Sequence, residues 1–366
     1  MLKCVGVALL VVACHAAPSF CSFEDLYPKQ YVAYKTPTPP VIDGNLDDEV
    51  WSEVPWTEDF IDISTTVVPR FRTRAKLRWD DTHLYVGGHL EEPQIWANIT
   101  AHDQVIFHDN DFEVFVNPDA TTHMYKEWEM NANNATWDLC LNKPYLNGGY
   151  ENSSRVFPQH GFDEPLARSG VYIDGALNNP AVKSSFWSTE IAYRLVDLAY
   201  NETVQLPPPE NTLWRLQFSR VEHRVEVVNG HFEKVPNVPL DNWVWTPMGV
   251  IDVHLPEKWG FLQFSSAAVN STAPLRDPSW TVRSVAMQVY YAQIAFFEVH
   301  GMYADSLLPL FNLAPEGPRA IDGTCSVKPS LSLSPDGSHY NASVTSLDGS
   351  MTAHVRDDRF LTVSTR

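Results

Sequence analysis

Between about residues 41 and 265, apolar and polar side chains alternate in short runs separated by clusters of Pro, Asn, Asp and Gly. Ala75, Leu77 and Trp79 alternate with Lys76 and Arg78. After the turn-forming Asp80-Asp81-Thr82 come Leu84, Val86 and Gly88, and further on Phe112, Val114 and Val116 alternate with Glu113 and Phe115. Three more runs follow the same rule: Trp128 and Met130 against Glu127 and Glu129; Trp187, Thr189 and Ile191 against Ser188 and Glu190; Trp214, Leu216 and Phe218 against Arg215 and Gln217. A last run spans residues 261–264. Successive side chains on a strand point to opposite faces, so each run predicts a half-buried antiparallel strand with one apolar and one wet face. Several such strands predict a mainly β fold, a two-sheet antiparallel β-sandwich, over residues 23–265. The polar stretches 142–170 and 207–211 belong to its ends.

The pattern changes after Phe264. Residues 265–276 read as a linker. Asp277-Pro278 then supplies a helix cap and first-turn proline, and Gly301 a stop. Within that span Val282, Val285, Ala286, Val289, Phe296 and Val299 form one apolar stripe, and Met287, Tyr290, Tyr291, Ile294 and Phe297 a second. A helix apolar on two sides is packed between two layers. From Ser330 onward alternation returns, with turns at Pro335-Asp336-Gly337 and Asp348-Gly349. Residues 277–366 are therefore expected to form a small C-terminal appendage, a helix plus an antiparallel meander, giving the chain an α+β end. A length of 366 residues suits this two-part organisation.

The first residues assign a compartment. Residues 1–17, MLKCVGVALLVVACHAA, combine one lysine, an apolar run and small residues before a cleavage point, the pattern of a signal peptide. Six Asn-X-Ser/Thr sequons follow, at Asn98, Asn134, Asn152, Asn201, Asn270 and Asn341, and agree with an extracellular, N-glycosylated product. Beyond the leader there remain Cys21, Cys140 and Cys325, an odd number without a CxxC pair, so one bridge and one spare thiol are expected. The most apolar later segment, residues 282–299, is broken by Arg283, Gln288, Gln293 and Glu298, so no membrane partner is expected. With 45 Asp+Glu against 26 Lys+Arg, phosphate backbones are not expected partners either.

Short motifs with a catalytic mechanism, HExxH, GxSxG, the Walker loop and GxGxxG, are absent, and the chain reads as no enzyme. Glu127 and Glu129 would lie roughly 7 Å apart on one strand face, but nothing beside them supplies a nucleophile or acid. Asp43, Asp47 and Asp48, or Asp109 and Asp111, are spaced for calcium through hard oxygen ligands; the alternative is turn and cap chemistry at Asp43-Gly44. Of the 12 tryptophans, Trp79, Trp128, Trp187 and Trp214 alternate inward, which leaves Trp243 and Trp245 as candidate ligand platforms.

One stretch, residues 41–51 (VIDGNLDDEVW), resembles the opening of family 9 carbohydrate-binding modules, the sugar-binding appendages of xylanases. Segments in the same order extend the resemblance: 77–86 (LRWDDTHLYV), 109–118 (DNDFEVFVNP), 125–131 (YKEWEMN), 187–191 (WSTEI), 214–220 (WRLQFSR) and Trp259-Gly260-Phe261. The resemblance implies a noncatalytic β-sandwich, often with structural calcium, that clasps a sugar end between two tryptophans. Trp245 matches one clamp; the second falls near Phe107-His108, and an arginine that bonds the sugar is replaced by Glu129. The expectation is thus a saccharide of plant or microbial cell-wall type stacked on Trp245, with Trp243, Phe107 or His108 opposite and Asp109, Asp111, Glu129, Asn131 and Arg220 bonding its hydroxyls. Two alternatives stand beside it: an extracellular interaction protein that kept the sandwich without the ligand, and a haem b redox module using Met or His ligands near His123, Met124 and Met130.

Overall fold

The structure is a computed structural model, and it describes residues 21, 23–164, 167–325 and 327–366. The expected signal peptide, residues 1–17, lies outside the described residues. The strands of the large part are β1 (Gln30–Lys35), β2 (Ile61–Asp62), β3 (Thr73–Trp79), β4 (His83–Glu91), β5 (Asp111–Asn117), β6 (Tyr125–Asn131), β7 (Thr136–Leu141) and β8 (Glu151–Asn152). They continue as β9 (Arg168–Asp174), β10 (Phe186–Arg194), β11 (Leu213–Glu222), β12 (Val225–Val228), β13 (His231–Lys234), β14 (Asp241–Val244) and β15 (Gly260–Ser265). Short helical turns, α1 (Glu49–Ser52) and α2 (Leu195–Leu198), interrupt them.

Hydrogen bonding joins most of these into one path, β8-β7-β6-β5-β11-β15-β1-β3-β4-β10-β9, which folds on itself so that its two halves face each other. The stacking is visible in the core: Trp128 of β6 meets Tyr193 of β10 edge to face at 5.4 Å, and the Thr189 hydroxyl of β10 bonds the Met130 sulfur of β6 at 3.0 Å. The inward apolar side chains of the alternating runs lie in that core, Trp79, Trp128, Trp187 and Trp214 among them. The pairing is antiparallel throughout except at β1, which runs parallel to both β15 and β3 and so closes the sandwich between its first and last strands.

One expectation about the alternation is corrected. The second face of β5, β6 and β7 is not wet. Ile106, Met248, Leu255 and Trp259 pack against Phe115, Tyr125, Trp137 and Leu139 as a second apolar cluster outside the sheet. The acidic side chains between them are therefore buried too.

The chain ends in α3 (Trp280–His300), followed by a four-stranded antiparallel meander of β16 (Val327–Leu333), β17 (Tyr340–Ser346), β18 (Met351–Arg356) and β19 (Leu361–Thr365). The helix starts two residues later than the Asp-Pro signal suggests. Asp277 instead organises the preceding turn, its Oδ1 accepting from the Ser279 N–H at 2.8 Å and hydroxyl at 2.6 Å. Gly301 ends the helix with φ 68°, a conformation glycine adopts without cost. One stripe of α3 packs with Ala342, Val344, Ala353 and Val355 of the meander, while Trp280 reaches Phe261 of β15 at 6.3 Å. Cys21 and Cys325 form a disulfide, and Cys140 is free and buried.

Candidate functional site

The sheet register brings four carboxylates together. Glu113 on β5 stands directly opposite Glu129 on β6, with Asp111 two residues before Glu113 and Glu127 two before Glu129 on the same face. Like charges in that arrangement repel, and all four side chains are buried. Burial first, and the neighbouring carboxylates second, raise Asp111, Glu127 and Glu129 well above the carboxylate range; burial alone pushes Glu113 up to about 7, against the bonds it receives. The oxygens of Asp111, Glu113 and Glu129 lie within 4.8 Å of one another. With at most 6% of any of them exposed, the strip is a buried set of acids whose protonated forms are favoured, and not a pair open to a substrate.

The structure brings the predicted sugar-bonding residues to this strip but gives them to the protein's own chain. Glu129 accepts from the Phe107 N–H at 3.0 Å, and Asp111 from the Val221 N–H at 2.7 Å. Asp109 accepts from the Asn98 and Ile99 N–H groups and from Asn131, each within 2.9 Å, while Asn131 also donates to the Ile99 carbonyl. Arg220 is enclosed by Glu92 at 2.7 Å, Glu222 at 2.8 Å and the Thr73 hydroxyl at 2.9 Å. These groups hold residues 97–109 down as a cover over the sheet.

The tryptophan expectation is corrected by burial. Trp245 is 0% exposed; its indole donates to Glu58 at 3.0 Å, and its ring lies so close to Gly260 that a Cβ there would stand 2.4 Å from it. Trp243 is buried under Arg70 and Arg220, whose guanidinium carbons sit 5.3 and 5.1 Å from its ring. Neither offers a face for stacking. Phe107, 36% exposed, and the exposed His108 remain at the rim, tilted together at 4.9 Å. The haem candidates do not converge: Met130 is in the inter-sheet core, whereas His123 lies against the meander, its ring nitrogen 2.9 Å from the Asp358 carbonyl.

The opening motif is structural as well. Gly44, with φ 90°, lies so close to β9 that a Cβ would stand 2.4 Å from Tyr172 N. Its N–H and that of Asp43 donate to Glu190, which also accepts from the Trp51 indole at 2.6 Å. Asp43 and Asp48 accept from the Asn45 and Val41 N–H groups, and Asp43, Asp47 and Asp48 do not gather into a cluster spaced for a metal among the described residues. Asp43 thus serves its own turn, and Asp48 ties α1 back to Val41. Of the sequon asparagines, Asn98, Asn134, Asn201, Asn270 and Asn341 are exposed and Asn152 is half-buried.

An open recess lies elsewhere, between the sandwich and α3. This cavity of about 710 Å³ is lined by Tyr27, Lys29, Arg215, Lys258, Trp280 and Tyr291, among others. Arg215 forms its floor, donating to the Trp259 carbonyl at 2.8 Å with its guanidinium 4.0 Å from the Phe261 ring; burial lowers it to about 10. Tyr291 donates its hydroxyl to Glu257. Aromatic faces beside fixed donors and acceptors, in a volume typical of small-ligand sites, can hold a polyhydroxylated molecule. Sequence reasoning missed the recess because its walls come from the N-terminal segment, β11, the turn before β15 and α3. Only the doubly apolar α3 hinted that something lay against its second stripe.

Residues 42–143 match the model of the "Carbohydrate family 9 binding domain-like" family. Among solved structures, a Bacteroides uniformis protein proposed to bind carbohydrate is 11% identical, covering 65% of this chain and all of its own, at a TM-score of 0.46. A family 9 carbohydrate-binding module from Caldicellulosiruptor kristjanssonii solved with cellotriose is 16% identical over 68% of this chain and all of its own, at 0.39. The same organism's module solved with glucose gives 15% over 67% of this chain and all of its own, also at 0.39. No curated protein matches the chain.

Proposed function

We propose that this protein is an extracellular, noncatalytic carbohydrate-binding protein whose saccharide enters the recess beside α3. The observation that carries the reading is the match of residues 42–143 to a carbohydrate-binding family. The burial of Trp245 argues for moving the sugar away from the slot between Trp245 and Phe107, and the recess supplies what a sugar needs. Tyr27 and Tyr291, which are half-buried, give rings for its C–H faces, and Lys29 and Lys258 give donors for its hydroxyls. A noncatalytic role agrees with the sealing of Glu127 and Glu129, which leaves the paired acids beyond reach of a glycosidic bond. Extracellular placement rests on the leader-like residues 1–17 and the exposed sequons, and no helix among the described residues is long and apolar enough to cross a membrane.

Calorimetric titration with glucose, cello-oligosaccharides and xylo-oligosaccharides tests the proposal, with Tyr291→Ala and Trp245→Ala alongside. Binding should be lost in Tyr291→Ala and kept in folded Trp245→Ala. The reverse result would return the sugar to the tryptophan slot. Failure of the wild type to bind any glycan would favour the second reading, an interaction protein that kept the sandwich, for which the sealed strip is the specific support.

A further inference from the structure

A second polar cluster lies at the edge of the sandwich, away from the recess. Asp103 donates its N–H to the Thr136 carbonyl at 2.9 Å, which pins residues 102 and 103 against the start of β7. Asp138 is two residues further along β7, on the same face as Thr136. The loop after β8 adds Asp163. As a result His102 Nε2 faces three carboxylate oxygens at nearly one distance: Asp103 Oδ1 at 3.4 Å, Asp138 Oδ1 at 3.5 Å and Asp163 Oδ1 at 3.6 Å.

We infer that His102, Asp103 and Asp138, with Asp163 at the open edge, form a binding site for a transition-metal dication of the zinc class. Three observations carry this. The Oδ1 atoms of Asp103 and Asp138 are buried without a hydrogen-bond partner, and Asp138 is only 1% exposed. Their other oxygens are fixed: Asp138 Oδ2 accepts from the Glu164 N–H at 2.7 Å, and Asp103 Oδ2 from the Ser154 hydroxyl. Each carboxylate is thus held with one free oxygen aimed at the same point.

The imidazole is oriented in the same sense. Its Nδ1 lies 2.9 Å from the Thr136 hydroxyl and 3.1 Å from the Thr136 carbonyl, and these contacts anchor the ring with Nε2 toward the carboxylates. A histidine ligand whose other nitrogen bonds a backbone carbonyl is the usual arrangement at a zinc site.

The distances separate a metal from a plain ion pair. A charge-assisted N–H···O bond is about 2.7–2.9 Å long, and none of the three contacts is that short. Ligand atoms about 2.0–2.1 Å from a tetrahedral zinc lie about 3.3–3.4 Å from one another; Nε2 stands 3.4 and 3.5 Å from the Asp103 and Asp138 oxygens, and the three donor atoms lie within 4.8 Å of one another. The imidazole nitrogen and the small ligand count argue against calcium or magnesium, which take six or more oxygens. His102 is nearly half exposed, which gives an ion a way in.

Titrating chelator-stripped full-length protein with Zn²⁺ alone, against a chromophoric chelator, tests the inference. One ion per chain should bind, and His102→Gln and Asp138→Asn should each weaken binding at least tenfold. Co²⁺ in place of Zn²⁺ should give the visible absorption of a tetrahedral site. His102→Gln alters a half-exposed loop residue, and its unchanged circular dichroism guards against misfolding. No zinc uptake by the wild type, equal affinity in both variants, or uptake of Ca²⁺ with Zn²⁺ excluded would each overturn it.

Discussion

The sheet face bearing Glu113, Glu127 and Glu129 and the recess beside α3 are made of the same materials, aromatic rings next to charged groups, and end as opposites. On the sheet face, residues 97–109 and the segment around Met248 to Trp259 close over the acids. At the recess, α3 meets the sandwich only along part of its length and leaves about 710 Å³ between them. Side-chain chemistry alone therefore does not make a binding site; access does, and access is decided by loops and by how two layers meet.

Mutations can break this comparison. The largest effect is expected for Trp245→Ala: if the ring is core, its loss should cost about 3–5 kcal/mol of stability, readable by urea denaturation. A ligand platform would instead lose binding with little loss of stability. The next effect depends on pH. In the fold Glu113 keeps its proton up to about 7, whereas its ordinary value is 4.5, so the native state holds more protons than the unfolded chain in that interval. The Glu113 contribution to stability should then fall as pH rises from about 4.5 to about 7 and level off above. Glu129 is raised in the same direction, so Glu129→Gln should stabilise the protein at pH 7.5 and hardly at all at pH 4, as read by urea denaturation at the two pH values. A variant that destabilises at both pH values would show that the strip carries compensated charge. The smallest effect belongs to the recess: Glu316→Ala, at its exposed rim, should shift stability by no more than about 0.5 kcal/mol.

The period-two runs and the doubly apolar helix could be read from the chain because each depends on local spacing. Trp128 and Trp214 were legible as core because their neighbours alternate with them. The strip was half legible. Alternation put Glu127, Glu129 and Asn131 on one face, but whether water or residues 97–109 covered that face depends on contacts between distant segments. Trp245 misled for the same reason: a glycine at 260 makes room for its ring, and nothing near position 245 announces that. His102, Asp138 and Asp163 come from separate segments and follow no motif spacing, so only the folded chain brings them together.

The Cys21–Cys325 bond joins residues 304 positions apart and so encloses the whole sandwich and α3 in one covalent ring. A protease that cuts any exposed loop between those cysteines would leave a single molecule of unchanged mass apart from one added water. The two pieces would separate only once the bond is reduced. Among proteases, the ring keeps the two pieces of a nicked chain together.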